Sequence, residues 1–249
     1  MAEKAELIVG RNPVLEALRG ARPLNKIYVQ EGSRGRNINE LLSLAKAKGI
    51  AVELTQAEKL DHLTTYAHHQ GVVALAAPVE FKSLDAVFAA ASAKKEAPFL
   101  LLLDELQDPQ NVGALLRTAD AAGVHGVLLP KRRSCPLNAA VAKISAGAVE
   151  YVPVVQIGNV VQTIDTLKER GCWVIGADMD GTDLYASDMR GPVVLVIGAE
   201  GRGLGRLVRE KCDQIVSIPM HGAINSLNAS AAGAVLMYEI VRQRWGSGK

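Results

Sequence analysis

Three polar stretches of the chain hold the residue types that do chemistry, and each follows a short apolar run. The first, Asp104-Glu105-Leu106-Gln107-Asp108-Pro109-Gln110-Asn111, leads into a helical pattern that carries Arg117. Asn111 suits a helix N-cap. Arg117 sits among Leu115, Leu116, Thr118 and Ala119, so it reads either as a solvated arginine or as a cation emerging beside a packed face. The second stretch, Gly198-Ala199-Glu200-Gly201-Arg202-Gly203-Leu204-Gly205, lets a backbone come close to a ligand. Its spacing is neither a Walker loop nor the GxGxxG turn of dinucleotide binders, which argues against NAD. The Glu200 carboxylate would repel a phosphate and suits a cationic or hydroxyl-rich ligand. The third stretch runs from Met220 to Ser226-Leu227-Asn228, where Ser226 or Asn228 offers the cap oxygen of a long helix. Its first turns, Ala229 to Ala234, are almost all small, so another backbone can approach that face closely.

Strands and helices must hold these stretches in place. Apolar runs at Phe99–Leu103, Val127–Leu129, Val152–Val155, Trp173–Ala177, Val193–Gly198 and Ile215–Pro219 read as strands buried on both faces, as in a parallel sheet. Helical patterns at Val112–Ala122, Asn138–Ala146, Val160–Arg170, Leu204–Lys211 and Asn228–Arg244 alternate with them. Open sheets of this kind place ligands beyond the strand ends, where the three polar stretches lie. Residues 98–249 thus read as one α/β domain able to fold alone.

Residues 1–79 read as a smaller α/β unit. Its helices are expected at Pro13–Leu18, Asn37–Lys48 and Gln56–Ala67, and its strands at Lys26–Gln30, Ile50–Leu54 and Gly71–Ala76. The Ala- and Lys-rich residues 80–97 read as a helical connector. His68 and His69 are adjacent, but nothing near them in sequence supplies further ligands at a metal spacing, so no metal site is expected. That loop reads instead as solvated or RNA-facing.

Composition narrows the class. A chain that is 49% hydrophobic and 22% charged is that of a soluble globular protein, and a net charge of +2 is too small to indicate nucleic acid without local clustering. Such clusters occur at Lys131-Arg132-Arg133, at Arg202, Arg206 and Arg209, and at Arg11, Arg34 and Arg36. No apolar run has membrane-spanning length, and Met1–Gly10 shows no secretory pattern. Cys135, Cys172 and Cys212 fit neither a zinc motif nor a disulfide framework, so a reducing cytoplasm is the expected location.

The three stretches together resemble the SpoU (TrmH-like) family of RNA ribose 2′-O-methyltransferases, within the SPOUT superfamily. Asn111-Val112-Gly113-Ala114-Leu115-Leu116-Arg117-Thr118-Ala119 looks like the family's first motif. Leu195 to Leu204 looks like the second, and Ile218-Pro219-Met220 through Ser226-Leu227-Asn228-Ala229-Ser230 like the third. Ile8 to Leu18 and His69-Gln70-Gly71-Val72-Val73-Ala74 resemble the substrate-binding domain of the bacterial subgroup that methylates 23S rRNA, a domain similar in fold to ribosomal protein L30e.

The resemblance implies a SPOUT (α/β knot) catalytic domain with a deep trefoil knot, preceded by an L30e-like α/β domain. It implies S-adenosylmethionine as methyl donor, a homodimer, and a guanosine ribose in the peptidyl-tRNA-binding loop of 23S rRNA as target. A tRNA ribose methyltransferase and a non-catalytic ribosome-assembly protein are the alternatives, and intact Arg117, Glu200 and Asn228 speak against the latter. Carried over residue by residue, the motifs give Asn111, Arg117, Glu200, Ser226 and Asn228 to catalysis. They give Gly198, Glu200, Gly201, Ile218, Met220, Ser226, Leu227 and Asn228 to the cofactor. RNA contacts are expected from Arg11, Arg34, Arg36 and His69 in the small unit, and from Lys131, Arg132, Arg133 and Arg202 in the large one.

Overall fold

A computed structural model of the chain describes residues 5–65, 68–223 and 225–245. Tyr66 and Ala67, in the expected third helix and the loop after it, lie outside the described residues, as does Ile224. The first elements are β1 (Glu6–Val9), α1 (Arg11–Arg19), β2 (Leu24–Gln30), α2 (Arg36–Ala47), β3 (Val52–Thr55), α3 (Ala57–Leu63) and β4 (Val72–Ala76). Then come α4 (Leu84–Ala93), β5 (Phe99–Leu103), α5 (Pro109–Ala121), β6 (Gly126–Pro130) and α6 (Ala139–Ile144). The rest comprises β7 (Val154–Ile157), α7 (Val160–Glu169), β8 (Trp173–Asp183), β9 (Val193–Ile197), α8 (Arg206–Lys211), β10 (Gln214–Ser217) and α9 (Ala229–Trp245). Two compact units result: residues 1–80 with 136–151, and residues 81–135 with 152–249.

The first unit is a four-stranded sheet in the order β1-β4-β2-β3, in which only β2 and β3 run parallel. Its core joins Val14 and Leu18 of α1 and Leu41 of α2 to Ile27 and Ala74 of the sheet. Strand β1 is too short a run to stand out in the sequence. Helix α3 stops at Leu63 rather than Ala67, because Thr64 turns its hydroxyl back to Leu60 O (2.8 Å) and Thr65 adopts a positive φ of 52°. Residues 136–151, expected in the large domain, belong to this unit. Glu150 meets Arg22 at 3.0 Å with both side chains buried, and Arg22 also pairs with Glu6. Tyr151 donates its hydroxyl proton to the Glu16 carboxylate, and Gly147, with φ of 91°, leaves no room for a Cβ against Glu16. An unpaired buried charge would be costly, so the Arg22–Glu150 contact ties the segment firmly to α1 and β1.

The second unit is an all-parallel six-stranded sheet, β10-β8-β9-β5-β6-β7. Every residue of β5, β6 and β9 is buried, as continuous apolar runs require. Helix α4 is part of this core rather than a connector: the Val87 methyls lie 2.8 and 2.9 Å from where a Gly126 Cβ would stand, and Leu84 and Phe88 pack on the same cluster. Strand β8 runs on to Asp183, past the expected Ala177. Its pairing with β10 jumps from Gly176 to Thr182 between Ile215 and Val216, so Ala177–Gly181 falls outside that register, and the two aspartates of this stretch hid the strand. Among the described residues, no helix is long and apolar enough to cross a membrane.

The end of α9 is pinned beside the start of β5. Arg244 donates to Ala97 O and Pro98 O, each at 2.9 Å, and lies 4.9 Å from the Phe99 ring centre. His125 is buried there too, accepting Phe99 N–H on Nδ1 (3.0 Å) and meeting Glu96 through Nε2 (3.0 Å). Burial holds its pKa below the ordinary 6.5, against the opposing pull of Glu96. The unfolded chain therefore binds this proton more readily, so the stabilising effect is complete above about pH 6.5 and is lost as pH falls through the lower folded pKa. Thermal unfolding followed below that pH should show a shallower decline in His125→Asn, whose amide oxygen can replace Nδ1, than in the parent. Equal slopes would show that this imidazole does not contribute.

Candidate active site

The three polar stretches meet beyond the C-terminal ends of β5, β9 and β10 through one side chain, Asn228. Its Oδ1 accepts Ser230 N–H (3.0 Å), Ala231 N–H (3.3 Å) and the Ser230 hydroxyl (2.6 Å), so Asn228 is the cap of α9. Three donors on the oxygen fix the amide's orientation, and Nδ2 must point the other way. There it donates to Asn111 Oδ1 at 2.8 Å and to Glu200 Oε1 at 2.6 Å. One carboxamide thus joins one residue from each of the other two stretches.

Asn111 is not the cap of α5. Asp108 is, accepting Asn111 N–H at 3.1 Å with Pro109 in the first helical turn, a signature the sequence offered in Asp108-Pro109. Asn111 sits one turn inside the helix and is only 2% exposed. With its oxygen committed to Asn228, its buried Nδ2 has no partner among the described residues. An unmet buried donor costs roughly 1–3 kcal/mol, a cost that a ligand acceptor would remove.

Arg117 is exposed two turns further along α5, and among the described residues no hydrogen bond or ion pair holds it. Glu200, Gly201, Ser226 and Leu227 are exposed, Ile218 is half-buried and Gly198 is buried. Met220 and Leu227 leave apolar surface open at 37% and 43% exposure, and a Cβ added at Gly201 or Gly222 would meet nothing within 4 Å among the described residues. The small face of α9 is used within the chain: a Cβ on Gly233 would lie 2.4 Å from Leu115 of α5.

The cationic candidates divide. The side chains of Arg34, Arg36, Lys131, Arg132 and Arg202 are exposed and make no hydrogen bond or ion pair among the described residues. Arg133 pairs with Glu105 at 2.8 Å, Arg206 with Glu210, and Arg209 turns to Asp178 at 2.6 Å. Arg11 donates through Nε to Gln70 O (2.8 Å), which gives it a structural task. His69 is occupied on both ring nitrogens: Nδ1 accepts Gly71 N–H (2.9 Å), so Nε2 carries the proton to Asp61 (3.1 Å). Among the described residues, no three His, Cys, Asp or Glu side chains cluster as a metal site would require.

Two acids were given no role in the sequence. Asp104, 4% exposed, accepts Gly205 N–H at 3.3 Å, and burial raises its pKa although that hydrogen bond opposes the rise. Asp178 approaches Gly203. Asp104 lay in view at a strand end, whereas nothing in the sequence linked Asp178 to its distant partner Arg209.

Comparison with known proteins agrees with this architecture. Residues 98–238 match the model of the SpoU rRNA Methylase family, and residues 7–82 match that of the RNA 2′-O ribose methyltransferase substrate-binding domain. YacO of Bacillus subtilis (strain 168), named for the TrmH family of tRNA/rRNA methyltransferases, is 44% identical over 245 residues, covering 98% of each chain. A protein of Staphylococcus haemolyticus named for the same family is 47% identical, covering 96% of each chain. Among solved structures, the SpoU methyltransferase AviRb from Streptomyces viridochromogenes, in complex with AdoMet, superposes with a TM-score of 0.80 at 26% identity, over 96% of this chain and 90% of that one. An RNA 2′-O ribose methyltransferase superposes at 0.79 with 25% identity, over 98% and 90%. With a SPOUT-type parallel sheet, a substrate-binding unit before it and three motif stretches joined at Asn228, the chain belongs to the SpoU methylase family of RNA methyltransferases.

Proposed function

We propose that the protein transfers a methyl group from S-adenosylmethionine to the 2′-hydroxyl of a guanosine in the peptidyl-tRNA-binding loop of 23S rRNA, acting in the cytoplasm as a homodimer. The observation that carries the reading is the Asn111–Asn228–Glu200 junction, which leaves the buried Asn111 Nδ2 unmet among the described residues, while Met220 and Leu227 of the third stretch keep apolar surface exposed. Those features fit the cofactor. Met220 and Leu227 can cover an adenine face, the backbone at Gly198–Gly201 and Ile218–Met220 can grip its polar edges and the ribose, and Asn111 Nδ2 awaits an acceptor. When bound, S-adenosylmethionine supplies a methyl carbon already activated by its sulfonium, so the protein's main task is alignment. Holding the hydroxyl at near-attack distance is worth up to roughly 7–11 kcal/mol in well-oriented systems.

A guanidinium offers hydrogen-bond donors and no acceptor, so Arg117 suits positioning rather than proton abstraction. Exposed and unpaired, it serves as a fork onto an RNA phosphate or the ribose oxygens, fixing the 2′-oxygen while a phosphate oxygen takes its proton. Arg34, Arg36, Lys131, Arg132 and Arg202 remain available for RNA phosphates, whereas Arg11 and His69 shape the loops around them. With few aromatics in the chain, recognition rests on shape and charge more than on stacking. On α9, exposed Ala231, Val235 and Tyr238 form one apolar stripe, which suits the second copy.

Calorimetric titration should show binding of S-adenosylmethionine and of its demethylated product and none of NAD; the reverse would sink the methyltransferase reading. Ribose methylation mapped on total RNA from cells with and without the protein tests the target. A lost 23S guanosine mark supports the proposal. The names of the relatives span tRNA as well as rRNA, so a lost tRNA mark would favour that second substrate instead.

A further inference from the structure

The turn that follows β9 has a neighbouring strand on each side, because β9 lies between β8 and β5 in the sheet. Each neighbour places an acid against it. From the end of β5, Asp104 donates its N–H to Ile197 O (2.8 Å) and accepts Gly205 N–H on Oδ2 (3.3 Å). From β8, the Asp178 carboxylate lies 3.3–3.6 Å from where a Gly203 Cβ would stand, and its Oδ2 meets Arg209 Nη1 at 2.6 Å. Arg209 is on α8, the helix the turn feeds, whose own cap Gly205 has no side chain to close it. The turn is otherwise closed by Gly203 N–H on Ala199 O (2.9 Å) and by Gly198, where a Cβ would fall 2.3 Å from the Gly203 carbonyl carbon.

Four glycines in eight residues make this the stretch with the most backbone freedom to lose on ordering. Contacts that order it before a ligand arrives remove that cost from binding. Both acids are well covered, Asp104 at 4% exposure and the Asp178 side chain at 17%, and a carboxylate is expensive to bury without a task. We infer that Asp104 and Asp178 are positioning residues that clasp the glycine turn from its two flanking strands, through Gly205 and through Arg209, in the shape that receives the cofactor. The inference rests on the reading of this turn as a cofactor wall.

The test uses the full chain and five variants: Asp104→Ala, Asp104→Asn, Asp178→Ala, Arg209→Met and Gly198→Ala. Asp104→Ala should raise both the KM and the Kd for S-adenosylmethionine about tenfold, the loss of one charge-assisted hydrogen bond, while kcat at saturating cofactor and the KM for RNA hold. Asp104→Asn still offers an oxygen to Gly205 N–H and should stay within about threefold of the parent. Asp178→Ala and Arg209→Met should each raise the cofactor KM alone, and together no more than either one. Unchanged cofactor affinity in Asp104→Ala, or equal losses in the alanine and asparagine variants, would overturn the clasp. If Asp104→Ala does not fold, Arg209→Met decides, and an unchanged KM there overturns it equally. Gly198→Ala separates the two levels: if it folds and binds cofactor normally, the turn is no cofactor wall and that reading fails, whereas loss of binding in Gly198→Ala without loss in the acid variants removes only the clasp.

Discussion

Arg117→Ala is expected to bind S-adenosylmethionine as the parent does and to lose about a hundred- to a thousandfold in turnover, since a contact made to the reacting oxygen acts mainly in the transition state. Among the described residues nothing holds Arg117, so its removal strands no partner there. Asn228→Ala should fail differently. It removes the cap of α9, worth about 1 kcal/mol, and strips Asn111 and Glu200 of their shared donor, so cofactor affinity falls. Each variant alone should be nearly inactive. In a homodimer where Arg117 of one copy serves the pocket of the other, mixing the two with subunit exchange puts both lesions in one pocket and leaves the other intact. Activity should then reappear in the mixture, toward half that of the parent per heterodimer. A mixture that stays dead, with heterodimers verified by native mass spectrometry, would mean that each pocket is built within one copy.

Deletion of residues 1–97 is expected to abolish folding, whereas deletion of residues 1–80 should leave a folded domain that binds cofactor. The sequence suggests a cut before Pro98, because composition changes there. The core says otherwise: the longer deletion takes away α4, with Val87 filling the space above Gly126 and Leu84 and Phe88 lying on the same cluster. Losing these apolar side chains forfeits several kcal/mol at about 2–5 kcal/mol for each large one, a large part of a typical total of about 5–15 kcal/mol. The shorter deletion keeps α4 but leaves Glu150 without Arg22 and Tyr151 without Glu16. It should therefore melt lower than the intact protein and methylate rRNA poorly. Circular dichroism and calorimetry on both fragments check this; a cooperative transition and cofactor binding in the fragment that starts at residue 98 would refute the role given to α4.

The strands that carry the site were legible because burial on both faces leaves a continuous apolar run, as in Phe99–Leu103 and Val193–Ile197. The family motifs marked Asn111, Glu200 and Asn228, and the structure brings these three within one hydrogen-bonded group. Their joint geometry was not legible, because it depends on which oxygen caps which helix. Asp108 rather than Asn111 caps α5, and that single exchange turns Asn111 from a helix-end residue into a buried donor. His69 and Arg11 illustrate the converse. A polar residue in a loop looks available until the backbone groups that claim it, Gly71 N–H and Gln70 O, are brought near by the fold. The 136–151 segment was hidden for a related reason: a buried ion pair between Arg22 and Glu150 leaves no periodic trace in either stretch.

That segment also sets the order in which the protein can be completed as it is made. A ribosome that has released residues 1–80 has delivered all four strands of the small sheet but not the helix and turn that close over β1 and α1. Arg22 must wait, half of an unmade ion pair, until Glu150 leaves the exit tunnel, a delay on the order of several seconds at ordinary elongation rates. By then β5 and β6 have been synthesised, but β9, which pairs with β5, has not. The small unit therefore reaches its final form while the larger sheet is still partial, and a nascent chain stalled just after Glu150 has cleared the exit tunnel would already carry a finished small unit.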